Sequence, residues 1–370
     1  MHDREYYAIR TAAALIDVSP IYKYLVAGPG AMRLLNRVVT RDVTRCAVGQ
    51  ALYTPWCNAA GKVMDDGLVA RLDEATFALT SAEPALRWLH DNAFGMDVEI
   101  EDVSAGTAAA ALQGPFARDI LSQVAVLDPG SRDVPGSLDR VKYQHLAWAH
   151  VGGVPAVVSR TGYTGDLGYE IWVRAVDAPR LWDVLIEAGE PYGILPAGLL
   201  ALDQARVEAG LILIGVDYVP APQALTPAQT SSPFELGLGW AVDLDKGHSN
   251  GRQALLDERA EKPAWRLAGL EISWDAIEGL YASVGLPPQL PTTTQRSSVP
   301  VYAGRRQVGY ATSRVWSPLL KRYLALAHLE GAHARHGEEL AIEVTVEHRR
   351  LTAAARVVKL PFFEPERKRA

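Results

Sequence analysis

The chain has 370 residues, of which 48% are hydrophobic and 22% are charged, and 43 acidic against 37 basic residues give a formal net charge of -6. This length exceeds one ordinary hydrophobic core, so we expect two or three domains. The negative charge argues against nucleic-acid binding, which needs a basic face for the phosphates, and the lack of an apolar run of about 20 residues argues against a membrane span.

The N-terminal half alternates between helical and strand-like patterns. Apolar residues at helical spacing predict helices over residues 31–39, 84–94, 116–124 and 178–188, three of them introduced by a proline. Short runs predict strands over residues 77–80, 97–100, 147–151, 156–159 and 169–173. Such short, often alternating strands favour an α+β fold over a doubly wound parallel sheet. Scattered histidines and the two cysteines, Cys46 and Cys57, show no metal-site or disulfide spacing, which fits a reducing cytosol.

Two adjacent acids, Asp65 and Asp66, interrupt a strand-like segment over residues 61–72. Successive strand side chains point to opposite faces, so Asp66 falls on the more apolar face, together with Met64 and Leu68. A carboxylate buried there needs a ligand, a proton or a positive partner. The alternative is a pair of solvated acids beside a hairpin turn opened by Gly61, and the segment alone leaves both interpretations open.

A second conspicuous segment, residues 160–171, places three glycines around Tyr163 and contains Glu170. Such glycines permit a tight backbone excursion that can bring amides and Tyr163 close to a flat ligand. A carboxylate such as Glu170 is a natural bidentate acceptor for two donors that lie side by side. An ordinary β-hairpin explains the same pattern, and without further context it is the favoured interpretation.

The C-terminal half begins with the best-defined helical pattern, residues 196–210, whose buried stripe we expect to be Leu199, Leu202, Ala205 and Ala209. A proline-rich loop is predicted over residues 218–233. Strand patterns over residues 267–273, 299–302, 307–312, 323–328, 340–347 and 351–360 predict a C-terminal all-β domain, a small barrel or a sandwich. We expect residues 285–298 to be mobile and the basic run 367–369 to be a solvated terminus.

Five motifs, in this order across most of the chain, resemble the glycine cleavage T-protein (aminomethyltransferase) family. They are residues 17–19 (Asp-Val-Ser), 58–61 (Asn-Ala-Ala-Gly) leading to Asp65 and Asp66, 112–115 (Leu-Gln-Gly-Pro), 160–170, and 206–210 (Arg-Val-Glu-Ala-Gly). Segments 317–318 and 360–362 are also similar to that family's barrel domain. Five ordered motifs are far more specific than any one of them, so the chain is identified as a member of the family.

The resemblance implies an α+β, three-domain cloverleaf with tetrahydrofolate in a central channel and a C-terminal β-barrel domain. For this chain we expect a folate-binding region of two α+β subdomains over residues 1–245, a linker over residues 246–264 and the barrel over residues 265–370.

The resemblance also implies site residues. Asp66 matches the acid that approaches the folate nitrogens and is the expected catalytic residue, in agreement with its face assignment, whereas Asp65 is expected to be a surface or supporting acid. Tyr53, Tyr163 and Glu170 match cofactor-binding positions, with Glu170 expected at the pterin edge. Arg206 is also counted among the cofactor-binding residues, near the folate site, where its main role would be structural pairing with Asp203 one turn earlier.

Departures from the family pattern bear on the one-carbon donor. Leu202 stands where the family commonly has a folate-contacting arginine, and Ile214 where it commonly has a tyrosine. The chain also begins inside the region that the family treats as N-terminal, so either Met1 is a late start or part of the channel wall is absent. These changes lean towards a small-molecule donor, with Tyr218 as an acid for the departing group or, with more weight, as a structural residue.

We therefore expect a tetrahydrofolate-dependent enzyme that moves a methyl or aminomethyl unit from an N-, S- or O-linked donor to tetrahydrofolate. The donor is a small molecule, as in a demethylase, or is carried by a lipoyl carrier protein, as in glycine cleavage. The alternative from another class is a non-catalytic folate-binding protein that supports iron-sulfur maintenance, but its cysteine motif is missing because no cysteine follows Cys57. We expect no nucleic-acid or membrane partner and a cytoplasmic location.

Overall fold

The computed structural model describes residues 2–128 and 137–369. The chain divides into two compact units: unit 1 comprises Met1–Gly198, Trp240–Leu256 and Pro365–Ala370, and unit 2 comprises Leu199–Gly239 and Asp257–Glu364. Within the described ranges, no helix is both long enough and apolar enough to cross a membrane. The domain boundaries predicted from the sequence, at residues 245 and 264, stay predictions.

The helices and strands follow one another in mixed order. The helices are α1 His2–Thr11, α2 Ala31–Val38, α3 Leu86–Asn92, α4 Ala117–Val124, α5 Ala178–Gly189, α6 Leu199–Glu208, α7 Arg252–Glu261 and α8 Trp274–Ala282. The strands of unit 1 are β1 Ala14–Asp17, β2 Tyr22–Ala27, β3 Ala51–Cys57, β4 Val63–Arg71, β5 Thr76–Ser81, β6 Glu99–Asp102, β7 Thr107–Gln113, β8 Ala125–Leu127, β9 Leu146–Val151, β10 Val154–Ser159, β11 Gly168–Arg174 and β12 Leu195–Pro196. Those of unit 2 are β13 Trp265–Ile272, β14 Val299–Ala303, β15 Arg306–Ser317, β16 Arg322–Glu330, β17 Glu339–Val346 and β18 Arg349–Val358. The mixed α+β content confirms the predicted fold class.

Unit 1 contains two sheets, each covered by helices on one face. Sheet one has the strand order β3-β4-β5-β2-β6, and sheet two has the order β12-β1-β7-β11-β10-β9-β8. Helices α2 and α3 pack on sheet one through a core that includes Leu34, Leu35, Val69 and Leu79. Helices α4 and α5 cover one face of sheet two, where alternate residues of β10 and β11 are buried. Because side chains alternate along a strand, each sheet keeps a second face for other contacts.

Unit 2 contains the predicted barrel. Strands β13 to β18 close in the order β13-β16-β15-β14-β17-β18, so the prediction of a barrel, left open against a sandwich by the strand pattern alone, is confirmed. Closure removes the unpaired edges that a sheet of this kind would otherwise expose. The segment expected to be mobile is tied to the barrel near its end, where Gln295 and Arg314 exchange backbone hydrogen bonds of 2.8 and 2.9 Å.

Helix α6 differs from its sequence prediction in both its start and its buried face. It begins at Leu199 because Leu195 and Pro196 pair with β1 as the short strand β12. Leu199, predicted to be buried, is 69% exposed, whereas the charged residues Asp203 and Arg206 are buried. Ala205 and Ala209 are buried as predicted. The apolar stripe therefore described only part of the buried face, because ion pairs described below also make the burial of the charged residues possible.

Candidate functional site

A cavity of about 370 Å³ lies within unit 1, between the uncovered faces of sheets one and two. Leu68, Ala70 and Lys23 line it from sheet one, and Trp148 and Trp172 line it from sheet two. Its wall is mostly apolar, and its size falls in the range of roughly 300–1,000 Å³ that is typical of small-molecule sites. Side chains that share a face with these residues therefore point to the same side of their sheet.

Asp66 and Tyr53 meet on the cavity face of sheet one. Strand β3 pairs antiparallel with β4 so that Tyr53 lies opposite Leu68 and Pro55 opposite Asp66, which makes Tyr53 and Asp66 diagonal neighbours on one face. The Tyr53 hydroxyl donates a hydrogen bond of 2.8 Å to Asp66 Oδ2. Both residues are partly exposed. They share the face of Leu68 and Ala70 but are not among the residues that line the cavity itself.

The turn between β3 and β4 sets this register. Asn58 Oδ1 accepts hydrogen bonds from the backbone N–H groups of Ala60, at 3.0 Å, and Lys62, at 3.1 Å. Gly61 has φ +71°, a left-handed conformation that glycine adopts readily. The sequence motif of residues 58–61 is therefore a turn whose role is to align the two strands, and a slip by one residue would move Asp66 to the covered face.

Of the two roles expected for Asp65, a surface acid or a supporting acid, the structure rules out the first. It is 3% exposed and points to the covered face of sheet one, as does Val69. Its carboxylate accepts the backbone N–H of Asp66 at 2.7 Å and that of Glu83 at 2.9 Å. Strand parity separated the two acids correctly, but it assigned the exposed side to the wrong one, because the face with more apolar residues borders a cavity.

Glu170 lies on the uncovered face of sheet two. Strand β11 turns Tyr169 and Ile171 into the core, so Glu170 and Trp172 face the cavity side. The Thr161 hydroxyl donates a hydrogen bond of 2.7 Å to Glu170 Oε2. Burial raises the pKa of the Glu170 carboxyl, and the hydrogen bond from Thr161 opposes that rise. The carboxyl thus has one oxygen, Oε2, held by the Thr161 hydroxyl.

Gln113 fixes the loop that carries Tyr163 and leads to Glu170. It is fully buried, donates to the backbone oxygen of Thr161 at 3.2 Å and accepts the Thr164 hydroxyl at 2.8 Å. A Cβ at Gly162 would come within 2.1 Å of the Gln113 side chain, and one at Gly168 within 2.2 Å. The glycines of this segment therefore allow a close approach of Gln113, which is a more specific role than that of an ordinary hairpin.

Trp240 is a site residue that the sequence reasoning missed. Its ring stacks on Tyr53 with centroids 5.8 Å apart and an angle of 24° between planes, and the Arg41 guanidinium lies 5.7 Å from its centroid. Trp240 is 59% exposed. No local pattern indicates this contact, because Tyr53 and Trp240 lie far apart in the sequence.

The phenol of Tyr53 is held in its neutral form. Burial raises its pKa well above the usual value, and the Asp66 carboxylate and, further down the order of causes, Tyr163 and Asp65 raise it further. A neutral phenol remains a hydrogen-bond donor to Asp66 throughout the physiological range. Tyr53, Asp66 and Tyr163 therefore form one neighbourhood in unit 1.

Arg206, expected near the folate, lies in unit 2 and is fully buried. Its Nε donates to Asp203 Oδ1 at 2.7 Å, its Nη1 forms an ion pair with Asp217, and its Nη2 donates to the Ser313 hydroxyl at 2.8 Å. The pairing with Asp203 is the one that the helical spacing predicted. These contacts favour a structural role over direct contact with a ligand.

The basic run at the C-terminus is not the solvated terminus that the sequence predicted. Arg367 donates to both oxygens of buried Asp166, at 2.6 and 2.9 Å, and the cationic groups of Lys368 and Arg369 lie 5.8 and 6.0 Å from the ring centroid of Tyr143. Asp166 also lies 3.6 Å from Arg10 of α1. The tail therefore helps to fix the loop that carries Tyr163, all within unit 1.

Comparisons with known proteins agree with this architecture. The GCVT N-terminal domain model matches residues 1–246, and the glycine cleavage T-protein C-terminal barrel domain model matches residues 283–364. The chain belongs to the glycine cleavage T-protein family. The family prediction made from the ordered motifs is thus confirmed.

Individual relatives cover nearly the whole chain. It is 37% identical over 374 residues to an aminomethyltransferase of Symbiobacterium thermophilum, covering 99% of this chain and 90% of the relative. It is 33% identical over 363 residues to one of Halothermothrix orenii, covering 97% and 90%. The crystal structure of glycine cleavage system aminomethyltransferase T from Bartonella henselae covers 98% of this chain and 89% of its own, with a TM-score of 0.78 at 24% identity, which supports the fold.

Proposed function

We propose that this protein is a tetrahydrofolate-dependent transferase that moves an aminomethyl-derived one-carbon unit to tetrahydrofolate. The observation that carries the proposal is the hydrogen bond between Tyr53 and Asp66, on the face of sheet one that carries the cavity-lining Leu68 and Ala70, in a chain whose curated relatives are aminomethyltransferases. Family membership supports folate dependence, and the residues around the cavity give it a physical basis.

The aromatic side chains and the carboxylate on the uncovered side of sheet two fit a pterin. The wall of the cavity is mostly apolar and includes Trp148 and Trp172, which suits a flat ring, and Glu170 lies on the same face of β11 as Trp172. A pterin presents an amide N–H beside an amine, two donors that a carboxylate can accept together. Thr161 holds Glu170 Oε2 and so orients the group. We infer that Glu170 binds the pterin edge and that Tyr163 packs beside the ligand.

Asp66 is the proposed proton acceptor. Tetrahydrofolate supplies a weakly basic secondary amine as the nucleophile, and a carboxylate nearby favours its reactive, unprotonated form. Tyr53 donates to Asp66 Oδ2, which orients the carboxylate, and the stacked ring of Trp240 restrains Tyr53. We assign Arg206 a structural role within unit 2, through its contacts with Asp203, Asp217 and Ser313.

The donor class is tested by product analysis. We would incubate the protein with tetrahydrofolate and either an aminomethylated lipoyl carrier protein or a panel of methylated amines, sulfides and aryl ethers. Formation of 5,10-methylene-tetrahydrofolate with the carrier supports aminomethyl transfer, and 5-methyl-tetrahydrofolate with a small molecule supports the demethylase alternative. Folate binding without either product would contradict the proposed enzyme and support a folate-binding protein.

A matched pair of variants ties the activity to the site. Asp66→Asn keeps the size of the side chain and the bond from Tyr53 but cannot take up a proton. Asp102→Asn, at an exposed side chain of β6, is the control. Loss of product in the first variant with retention in the second is the expected result, and equal activity in both would contradict the role of Asp66.

A further inference from the structure

Asp65 is an acid buried beside the reaction site without a cation. It is 3% exposed, and no ion pair to it is seen in residues 2–128 or 137–369. Its two oxygens instead accept backbone N–H groups, Oδ1 that of Asp66 at 2.7 Å and Oδ2 that of Glu83 at 2.9 Å. Burial of a carboxylate without a cation costs several kcal/mol, of which two amide hydrogen bonds offset only part, so stability alone gives little reason for an acid at this position.

The surroundings of Asp65 keep its proton affinity high. The pKa of Asp65 is raised to about 7, and burial is the largest cause. The negative charges of Asp66 and Glu83 raise the pKa further, whereas the hydrogen bonds from the backbone amides of Glu83 and Asp66 lower it. The charge of Asp65 also helps to raise the pKa of Tyr53, whose phenol stays neutral. The charged form of Asp65 thus faces two acids and has only amide dipoles to balance it.

We propose that Asp65 is a positioning residue for Asp66, which holds the Asp66 peptide by its N–H group and tunes the proton affinity of the Asp66 carboxylate by changing its own charge. The proposal rests on the proposed function, in which Asp66 accepts a proton. Ionised Asp65 places a like charge on the other side of the strand, which raises the proton affinity of Asp66 and makes it a stronger base. Protonated Asp65 removes that charge.

Carboxyl-carbon NMR of the full chain, labelled with ¹³C-aspartate and titrated from pH 5 to pH 9, tests the coupling without turnover. Asp65→Asn and Asp66→Asn assign the two resonances. We expect Asp65 to titrate near pH 7 and the Asp66 resonance to show a step with the same midpoint, which Asp65→Asn abolishes. An Asp65 resonance that does not titrate in this range, or an Asp66 resonance that Asp65→Asn leaves unchanged, would overturn the proposal.

Asp73→Asn is the matched control. Asp73 lies in the turn between β4 and β5 and also accepts two backbone N–H groups, of Ala75 and Thr76, both at 2.9 Å, but it is exposed. Its replacement should leave the titration of Asp66 unchanged. If Asp65→Asn does not fold, Asp66→Asn still decides, because removal of the like charge must lower the midpoint of Asp65, and an unchanged midpoint would contradict the coupling.

The pH profile of turnover is the second readout. The ratio of wild-type to Asp65→Asn kcat should be about fivefold to tenfold larger at pH 8 than at pH 6, with an unchanged KM for tetrahydrofolate. A ratio that does not vary with pH would reduce Asp65 to a structural acid. A wild-type protein without turnover would refute the proposed function but not the proposed coupling, which the NMR titration decides separately.

Discussion

Asp66 in unit 1 and Asp217 in unit 2 are carboxylates in opposite settings. Asp217 is 1% exposed, pairs with Arg206 and also accepts the Leu213 amide at 2.9 Å and the Ser313 hydroxyl at 2.7 Å. Asp66 is partly exposed and accepts the Tyr53 hydroxyl. A carboxylate surrounded by donors and a cation stabilises the fold, whereas a partly exposed one can exchange a proton with a ligand.

Asp66→Asn should give the largest effect, a loss of turnover without a loss of stability. Loss of the proton acceptor is expected to lower kcat by about 100-fold to 10,000-fold, the usual contribution of general acid-base catalysis. The midpoint of urea unfolding should stay within experimental error of the wild type, because the replacement keeps the hydrogen bond from Tyr53. Measured side by side, a large loss of stability would place Asp66 in the same class as Asp217.

Arg206→Met should have the opposite effect, a large loss of stability. It leaves Asp203 and Asp217 buried in unit 2 without this guanidinium, and breaking a buried pair by removing one partner costs about 3–5 kcal/mol. Urea unfolding measures the loss. Arg306→Met is the control, because Arg306 pairs with Glu330 at 2.8 Å on the exposed barrel surface, where such pairs contribute about 0–1 kcal/mol. A small effect at Arg206 would remove the distinction between the two units.

The pH dependence of stability should differ in sign from that of a paired acid. The folded-state pKa of Asp65 is raised to about 7, so the folded protein binds this proton more tightly than the unfolded chain. Its contribution is fully present below about pH 4 and is lost as pH rises towards 7, at up to about 1.4 kcal/mol per pH unit. The free energy of unfolding of wild type minus that of Asp65→Asn should fall over this range, and a difference that rises or stays flat would contradict the raised pKa.

Glu170→Gln should weaken folate binding. A hydrogen bond to a charged group contributes about 1.5–3 kcal/mol, so we expect a loss of affinity of about 10-fold to 100-fold in calorimetry. Gln retains an acceptor for Thr161, so the loop that carries Tyr163 should keep its position. Glu187→Gln, at an exposed side chain of α5, is the control. Equal affinities for both variants would remove Glu170 from the ligand site.

Local patterns and ordered motifs predicted much of this protein. Helical spacing located α2, α4 and α5 closely, because their apolar faces are buried in the ordinary way. Strand parity separated Asp65 from Asp66, but it could not show which face borders a cavity, because that depends on sheet two, which lies far away in sequence. Arg206 and Asp217 are also joined by tertiary contacts, so the helical pattern of α6 predicted the burial of Ala205 and Ala209 but not that of Arg206.

Trp240→Leu should have the smallest effect of these changes. It tests whether the ring that stacks on Tyr53 contributes to the setting of Asp66. Aromatic pairs contribute about 0.5–1.5 kcal/mol beyond the area they bury, so loss of the stack on Tyr53 should lower kcat by about twofold to tenfold. Trp240→Phe keeps an aromatic ring and should recover most of the loss. Trp265→Leu, a partly exposed tryptophan of the barrel whose ring lies 6.2 Å from that of Tyr310, is the control for loss of an aromatic contact elsewhere. If Trp240 acts through Tyr53, Tyr53→Phe must reduce the effect of Trp240→Leu in the double variant, because the ring then has no hydroxyl to orient; strictly additive losses would show that the two residues act independently.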